Sequence, residues 1–583
     1  MKRLILSRLW MLISIIILTT GQAWAQTTPQ KVFNSIKDLR DGAQTNGNQH
    51  DDVVVKFEDS NPATVVAVMK NSEKDYDDEK FVNSFFIVDK SNYGLWVSPK
   101  GVYDKNLFTT WNLKIGSKIT GSIIGDYRQN DSGMPYFGSL LKSVKIGETS
   151  YQTDLTINRD GEASGTKEAV YPCTKVDDVN TIAKNNDAAS YGPYLNTIIQ
   201  VPGTIKKGTN NEYYLVQDEN TGTGTDYRDK RIYFSCSQLP NINIDDYVGT
   251  SGTFEGILIK RKDSESKLIV LKDNFFKVKK IYLDENDAEG RVEYLASQGA
   301  FDGEVDVYVH RTKLVNNPGA WNTICLPFDL TKEEFKTAFG CELTALAKPT
   351  ASDESAHQWT GIVSDKGVLS FTKLADTELT IKAGVPYLMQ ASGEQTCCTK
   401  TVRGSENMTP EELKTEDANY YASVGEKTIT VNAPYEVKAS YNDEIVNGEF
   451  YFRGLYGRKK YVDGSTTTLI ADGGSQKYQY ISTAAGSYLK YLPSGSTLQF
   501  NGMRAYFYFP NWNAENNNAA QDASNDTNAK IHVAVMAAST TGISNISAEE
   551  ASKQAEVYNL SGQRVDASYK GIVVRNGRKY LRK

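Results

Sequence analysis

Two stretches of this sequence repeat one order of short apolar segments and glycines, and this repetition limits the folds that the chain can adopt. The first stretch spans 53–147 and the second spans 193–283. In each, three β-branched and aromatic runs precede a longer connection. The fourth run carries glycines, at 119–125 in the first stretch and at 250–256 in the second. Glycines inside a strand mark sharp bends, so the pattern predicts two small, strongly curved sheets.

A fifth strand completes each predicted sheet. The basic and apolar runs at 143–146 and 277–281 are the candidates for these closing strands. Five strands that close on themselves follow the plan of the OB fold. The segment between the two stretches, 148–192, has the polar, glycine-containing composition of a linker. We therefore predict two OB-like five-stranded barrels joined by a linker.

The next region, 290–512, also has the pattern of β-structure. Residues 305–309 alternate apolar and polar side chains, which is typical of a half-buried strand. Thr331 and Thr409 each precede a glutamate by three residues, so each predicts the capping box of a short helix. We predict that the region is β-sandwich-like, and that the chain as a whole is mainly all-β.

The N-terminal segment, 1–25, predicts export. A basic start is followed by an apolar run and by Ala23-Trp24-Ala25, which is the order of a secretory signal peptide with its cleavage site. The apolar run is too short to span a bilayer comfortably, and no later stretch approaches 18 apolar residues. We therefore expect a mature chain without a transmembrane segment, outside the cytosol.

Cysteine pairing outside the cytosol follows from this expectation. The chain has 6 cysteines, far below the density of a disulfide scaffold. Cys325 and Cys341 lie in one module and are the candidates for a disulfide. Cys397 and Cys398 are adjacent, and a bridge between neighbours is strained and uncommon. The alternative is that all six are small apolar side chains with free thiols.

A linker at 513–530 precedes a small C-terminal β domain at 531–583. The segment 555–579 contains a tyrosine strand, a glycine turn, a basic valine strand and a second glycine turn. It resembles the C-terminal sorting domain of type IX secretion cargo. This resemblance implies recognition by the secretion machinery. Val573 stands where an aromatic residue often follows Gly571-Ile572 in that family. The alternative is a plain terminal β-hairpin.

The barrel pair resembles OB-like modules of exported Bacteroidota proteins. The phrases at 321–328 and 383–388 resemble a repeated surface-protein module of the same bacteria. These resemblances imply a modular exported protein at the cell surface or in the extracellular space, with the periplasm as the alternative.

Catalytic and metal-binding motifs are lacking. The 4 histidines lie far apart without an H-E-x-x-H, and neither a G-x-S-x-G elbow nor a phosphate-binding loop occurs. Residues 284–290 partly match a calcium loop, but the closing glutamate is missing. We therefore assign no catalytic residue, metal ligand or cofactor. Carboxylates are too numerous for spacing to exclude a glycosidase-type pair.

The third strand of each predicted barrel offers a ligand surface. Trp96 and Tyr233 alternate with apolar neighbours, so both point outward, onto the face that OB folds use for ligands. Lys260, Arg261 and Lys262 follow on the next hairpin and make the second barrel locally basic. The alternative is that the aromatic rings pack against a neighbouring domain and that the lysines are solvated.

The leading functional hypothesis is a secreted or cell-surface protein with a non-enzymatic binding or adhesion role, whose ligand is a glycan, a protein or a polyanion. The net charge of −6 makes nucleic-acid binding by the whole chain improbable. Local binding of nucleic acid or another polyanion by the barrels is the second hypothesis. A secreted hydrolase with its site in 290–512 is the third.

Overall fold

The computed structural model describes most of residues 30–510 and five short segments beyond them. Within 30–510 the gaps are 45–48, 71–82, 99–100, 105, 130–133, 184–191, 209, 218–229, 240, 261–265, 316–319, 350, 354–357, 360–361, 364–367, 401–407, 432–435, 443–446, 463–477, 482–488 and 491–496. Beyond 510, the described residues are 532–536, 558–559, 565, 570–575 and 578–582.

The first part of the chain forms a closed barrel with additional strands. Its elements are β1 (Val32–Phe33), α1 (Ile36–Gln44), β2 (His50–Phe57), β3 (Ala63–Lys70), β4 (Asn83–Val88), β5 (Gly94–Val97), α2 (Leu107–Trp111), β6 (Lys118–Gln129), β7 (Pro135–Gly138), β8 (Ser143–Ile146), β9 (Thr149–Gln152) and β10 (Thr156–Asn158). Strands β3, β4, β5, β7 and β6 pair in this order, and β6 returns to β3. Within this five-stranded ring only the β5–β7 pairing is parallel, as the OB-like plan requires.

The second part repeats this closure. Its elements are β11 (Cys173–Lys175), α3 (Val179–Ala183), β12 (Ile198–Lys207), β13 (Tyr213–Val216), β14 (Arg231–Ser235), β15 (Ser251–Lys260), β16 (Ser266–Ile269), β17 (Phe276–Asp284), α4 (Arg291–Ser297) and β18 (Phe301–His310), with short 3-10 turns at Gly192–Tyr194 and Ile244–Tyr247. Strands β12, β13, β14, β16 and β15 form the closed ring. The predicted pair of five-stranded OB-like barrels is confirmed.

The closing strands differ from the prediction in both barrels. β7 and β16, rather than 143–146 and 277–281, complete the rings. Residues 143–146 form the β8–β9 hairpin, and β17 instead extends the second barrel as a further strand beside β15. The closing strands are only four residues long, so their apolar pattern is too brief to distinguish them from loops.

The predicted linker, 148–192, also contributes to both barrels. β10 pairs with β6 of the first barrel, and β11 pairs with β12 of the second. Glu162 is buried and accepts a hydrogen bond from Ser117 at 2.5 Å. The segment therefore packs against the barrels that it connects.

The two barrels contact each other through their outer faces. Val66 and Phe86 of the first barrel form one apolar cluster with Ile198 and Ile257 of the second. At its edge, Asn196 Nδ2 donates a hydrogen bond to a main-chain carbonyl of β7 at 2.9 Å. The strands are close enough that a Cβ on Gly94 would lie 2.2 Å from the Asn196 carbonyl oxygen.

The third part is a β-sandwich. Its elements are β19 (Asn322–Ile324), β20 (Leu330–Thr331), α5 (Lys332–Phe339), β21 (Glu342–Pro349), β22 (Ala351–Asp353), β23 (Gln358–Trp359), β24 (Ile362–Val363), β25 (Val368–Lys373), a 3-10 turn at Asp376–Glu378, β26 (Thr380–Ile381), β27 (Tyr387–Ser392), α6 (Pro410–Glu416), β28 (Ala422–Thr428), β29 (Glu436–Asn442), β30 (Asn447–Leu455), β31 (Lys459–Val462), β32 (Tyr478–Ile481), β33 (Leu489–Lys490), β34 (Thr497–Phe500) and β35 (Arg504–Tyr508). One sheet is built around β21, β25 and β27, and the other around β29, β30 and β35.

The sandwich core lies between these two sheets. Phe371 and Leu388 of the first sheet pack against Phe452 and Phe507 of the second, and all four side chains are fully buried. The two predicted helices are present as α5 and α6. At each, the capping threonine accepts from the main-chain N–H of the glutamate three residues later. The predicted alternation at 305–309 is also confirmed, because its three valines are buried in β18.

The C-terminal elements are β36 (His532–Met536), β37 (Tyr558–Asn559), β38 (Gly571–Arg575) and β39 (Arg578–Arg582). The last three form a small antiparallel sheet. β36 instead pairs with β25 and extends the sandwich. Among the described residues, no helix is both long and apolar enough to cross a membrane.

A buried ion-pair network joins the second barrel to the sandwich. Glu285 follows β17 and is 2% exposed. Its carboxylate lies 2.7 Å from Arg504 Nη2 and 3.7 Å from Arg311 Nη1, and it accepts hydrogen bonds from Thr312. Arg311 Nη2 in turn donates to the carbonyl of Thr323 at 3.2 Å. One carboxylate therefore connects residues that follow β17 and β18 with residues of β19 and β35.

Gly94→Ala tests the barrel contact. The added methyl group cannot be accommodated beside the Asn196 carbonyl, so we expect a loss of about 1–3 kcal/mol in the free energy of unfolding. The measurement is a urea titration with the wild type in parallel. Gly208→Ala is the matched control, because the nearest atoms to its Cβ are 3.5 Å away. Equal effects of the two substitutions would contradict the close barrel contact.

Glu285→Gln tests the ion-pair network. Removal of the carboxylate charge leaves the buried Arg311 and the partly exposed Arg504 uncompensated, and we expect a loss of about 3–5 kcal/mol in unfolding free energy. The exposed Glu342, which pairs with Lys336, supplies the control Glu342→Gln, for which we expect a much smaller effect. A similar loss in both variants would argue against the network.

The same network predicts a pH dependence. Burial alone would raise the pKa of Glu285, but Arg311, Arg504 and Thr312 outweigh it, and the pKa is lowered in the folded protein. The resulting stabilisation is present above the unfolded-state pKa of about 4.3 and is lost as the pH falls through the folded-state value. Acid titration of stability should therefore be shallower for Glu285→Gln than for the wild type below about pH 4.3. Parallel acid titration curves would contradict the assignment.

Candidate functional site

Trp96 lies in the contact between the barrels. Its ring points away from the barrel core, as predicted, and stacks on Phe86 with ring centroids 6.1 Å apart and an interplanar angle of 14°. Tyr136 lies against it at 5.9 Å. The ring packs on the same apolar cluster that holds Ile198 and Ile257 of the second barrel. Trp96 therefore stabilises the barrel contact, and its face is taken up by protein side chains.

Tyr233 occupies the equivalent position on the second barrel but has different neighbours. It forms an apolar patch with Tyr214 and Val216, outside the barrel core. The centroids of the two tyrosine rings are 6.5 Å apart, and the ring planes meet at 66°. Tyr214 is 7% exposed and Tyr233 is 5% exposed. The Arg231 guanidinium lies 4.4 Å from the Tyr233 ring centroid and 5.3 Å from that of Tyr214. Both tyrosine rings thus form cation–π contacts with the Arg231 guanidinium.

Strand register places two lysines beside the tyrosines. Lys206 of β12 is the Cα partner of Tyr214, Tyr214 is the partner of Tyr233, and Tyr233 is the partner of Lys267 in β16. Cross-strand partners point to the same face of a sheet. Lys206 and Lys267 are both partly exposed. We call the row of Lys206, Tyr214, Tyr233 and Lys267, with Arg231, the cationic face.

The cationic face was only partly predictable. Arg231 precedes Tyr233 by two residues, so the period of a strand already places both side chains on one side. Lys206 and Lys267 join the face through pairings between strands, which the sequence pattern does not specify. The outward direction of Tyr233 was correctly predicted.

The predicted basic hairpin lies only partly within the described residues. Lys260 is half-buried at the end of β15, and burial, with Arg40 nearby, lowers its pKa. Arg261 and Lys262 lie outside the described residues. The lysines that follow are dispersed: Lys272 pairs with Glu255 at 2.6 Å, and Lys277 donates to a main-chain carbonyl. These lysines do not form one continuous patch with Lys260.

Cys325 and Cys341, the candidates for a disulfide, are not bridged in the structure. All 6 cysteines have free thiols, and these two have different surroundings. The Cys325 thiol packs beside Gly454, where an added Cβ would lie 2.3 Å from its sulfur. Cys341 instead lies close to Cys397 and Cys398. Cys325 and Cys341 are therefore not brought together, although they lie in the same module.

The calcium-like segment at 284–290 is occupied by internal contacts. Asp287 pairs with Arg291 at 2.8 Å, and Glu285 belongs to the ion-pair network. Within the described ranges, no three side chains of histidine, cysteine, aspartate or glutamate are grouped so that they could hold a metal ion. The buried His310 and its neighbours, Asp284 and Cys398, form a cluster that sequence spacing did not indicate.

Comparison with protein-family models finds no matching family, and comparison with curated proteins finds no matching relative. A role for the cationic face is therefore inferred from its own geometry alone. It combines three cationic side chains and two tyrosines on the outer face of the second barrel.

Proposed function

We propose that this chain is an exported, non-enzymatic binding protein that holds an anionic glycan at the cell exterior. The observation that carries the proposal is the cationic face. It occupies the outer surface of the second and third barrel strands, where OB-like barrels commonly bind ligands. The equivalent face of the first barrel is occupied by the barrel contact, so the proposal assigns binding to the second barrel.

The arrangement favours anion contacts over aromatic stacking. The Arg231 guanidinium lies over the rings of both tyrosines, so neither ring is open for stacking with a ligand. A planar guanidinium binds a carboxylate or sulfate through two parallel hydrogen bonds. Lys206 and Lys267 flank it on either side and supply point charges. A chain with several anionic groups can bridge these three cations.

A nucleic acid is the second candidate ligand, and the same geometry makes it less favoured. Proteins that bind single strands gain much of their affinity from bases stacked on open aromatic rings. In the second barrel the tyrosines are largely buried beneath Arg231, and Trp96 of the first barrel lies in the domain contact. Phosphate contacts alone would remain, so binding would lack the stacking contribution.

Export is the second part of the proposal. The signal-like segment at 1–25 and the sorting-like segment at 531–583 motivate it. On this proposal the mature chain lies on the cell surface or in the extracellular space, with the secretion machinery as a partner of the C-terminal domain. Retention in the periplasm is the alternative. A hydrolase in 290–512 has no supporting observation among the described residues.

Charge reversal tests the binding proposal. Full-length protein is titrated with heparin oligosaccharide, as a sulfated probe, by calorimetry at several salt concentrations. We expect measurable affinity that falls steeply with salt. The double variant Lys206→Glu/Lys267→Glu should weaken binding at least about tenfold, or ~1.4 kcal/mol. Its matched control, Lys118→Glu/Lys145→Glu, changes the same net charge at exposed positions of the first barrel.

The outcomes of this titration separate the hypotheses. Loss of binding in the first variant but not in the control supports the cationic face. Equal loss of affinity in both variants would show that only the net charge matters, and it would reject the cationic face as the binding site. A single-stranded oligodeoxynucleotide that binds more tightly than the sulfated probe would favour nucleic acid instead.

A further inference from the structure

Three buried thiols meet at the junction between α5 and the segment that follows β27. Cys341 lies directly after the glycine that ends α5, and Cys397 and Cys398 follow β27. The main-chain N–H of Thr396 donates to the Phe339 carbonyl at 3.0 Å, which fixes the two segments side by side. Cys341 and Cys398 are fully buried, whereas Cys397 is 7% exposed.

Cys397 and Cys398 are in direct contact. Their sulfur atoms are 3.3 Å apart, with Cys398 as the donor, and Cys398 Sγ also lies 3.2 Å from the Val309 carbonyl. Cys398 has a φ of +57°, a left-handed conformation that is uncommon for a residue other than glycine. Its main-chain N–H donates to the Asn419 carbonyl at 2.9 Å. The backbone thus holds the neighbouring thiols in one orientation.

His310 stands beside Cys398 in a fixed orientation. Its Nδ1–H donates to the Tyr420 carbonyl at 2.6 Å, and its ring lies flat on the Tyr420 ring at a centroid distance of 3.7 Å. Donation from Nδ1 leaves the lone pair of a neutral imidazole on Nε2. Nε2 is buried and has no hydrogen-bond partner among the described residues.

The pKa shifts of His310 and of the two thiols differ in direction: the pKa of Cys398 is raised, because its thiol donates to Cys397 and because it is buried. Burial lowers the pKa of His310, but the Cys398 thiol, Asp284 and the Tyr420 carbonyl outweigh it, and the pKa is raised overall. The imidazole therefore binds a proton more tightly than an ordinary histidine. The pKa of Cys397 is lowered, chiefly because the Cys398 thiol donates to its sulfur. Cys397 is thus the better thiolate and also the more accessible one.

We propose that Cys397 and Cys398 form a reversible disulfide, with His310 as the acceptor of the Cys398 proton. The Cys397 thiolate attacks one sulfur of a small disulfide such as glutathione disulfide, and the other sulfur leaves as a thiolate. Cys398 then gives its proton to His310 and attacks Cys397 Sγ, which expels the second thiolate. Two protein thiols are oxidised and one small disulfide is reduced to two thiols, which take up the protons.

This bond would be a site of modification rather than a structural crosslink. A disulfide stabilises a fold mainly by closing a loop in the unfolded chain, and adjacent residues enclose no such loop. The predicted effect of oxidation on the thermal midpoint is therefore small. The redox state instead determines whether the Cys398 thiol remains beside His310.

Peptide mass spectrometry of the full-length protein tests the proposal. Reduced protein is incubated with glutathione disulfide, alkylated and digested with trypsin. The tryptic peptide 383–400 contains Cys397 and Cys398 but no other cysteine, and Cys341 lies in a different peptide. We expect 383–400 to lose two hydrogens and to escape alkylation, and dithiothreitol to reverse both changes.

His310→Gln tests the proton acceptor. We expect oxidation of the pair to slow on the order of 10²-fold, because a general base is lost. The matched control is His50→Gln, which replaces a buried histidine of the first barrel and should leave the rate unchanged. If a variant fails to fold, peptide mass spectrometry of the wild-type protein still tests the disulfide. Complete alkylation of 383–400, or a crosslink to Cys341, would overturn the disulfide. An unchanged rate in His310→Gln would overturn the role of His310.

Discussion

The carboxylate of Glu285 lies between two arginines, and the relative placement of the second barrel and the sandwich depends on this contact. Glu285 is separated from Arg504 by 219 residues in the chain, yet their side chains are 2.7 Å apart. Removing these charges from water costs much free energy, which hydrogen bonds from Thr312 and to main-chain carbonyls offset in part, while Arg311 Nε has no partner among the described residues. The same junction orders β18, at whose end His310 lies.

The barrel contact divides the two repeats into different roles. Both third strands direct an aromatic residue to the outer face, but Trp96 packs on Phe86 and on apolar residues of the second barrel. The Arg231 guanidinium lies over the Tyr233 ring instead, and Lys267 is the cross-strand partner of Tyr233. One repeat therefore uses its outer face for assembly, and the proposal gives the other repeat the ligand. Similar strands can diverge in this way because the inward residues of both remain apolar, whereas the outward residues change in character.

The sequence predicts local features well and long-range partners poorly. Alternation at 305–309 and the capping boxes at Thr331 and Thr409 depend on residues within one element, and all three predictions are confirmed. The closing strands β7 and β16 depend on register, so the sequence pattern assigned that role to other runs. Of the cationic face, Tyr233 and Arg231 follow from the strand period, whereas Lys206 and Lys267 require the sheet pairing. Export, the sorting domain and the ligand remain predictions.

Hydrogen exchange with bound ligand tests the central claim most directly, because it locates binding without a substitution. Full-length protein is compared with and without heparin oligosaccharide at low salt. The account predicts slower exchange in peptides that cover β12, β14 and β16, and unchanged exchange in β5, whose outer face is already occupied. Protection confined to the first barrel or to the sandwich would contradict the account.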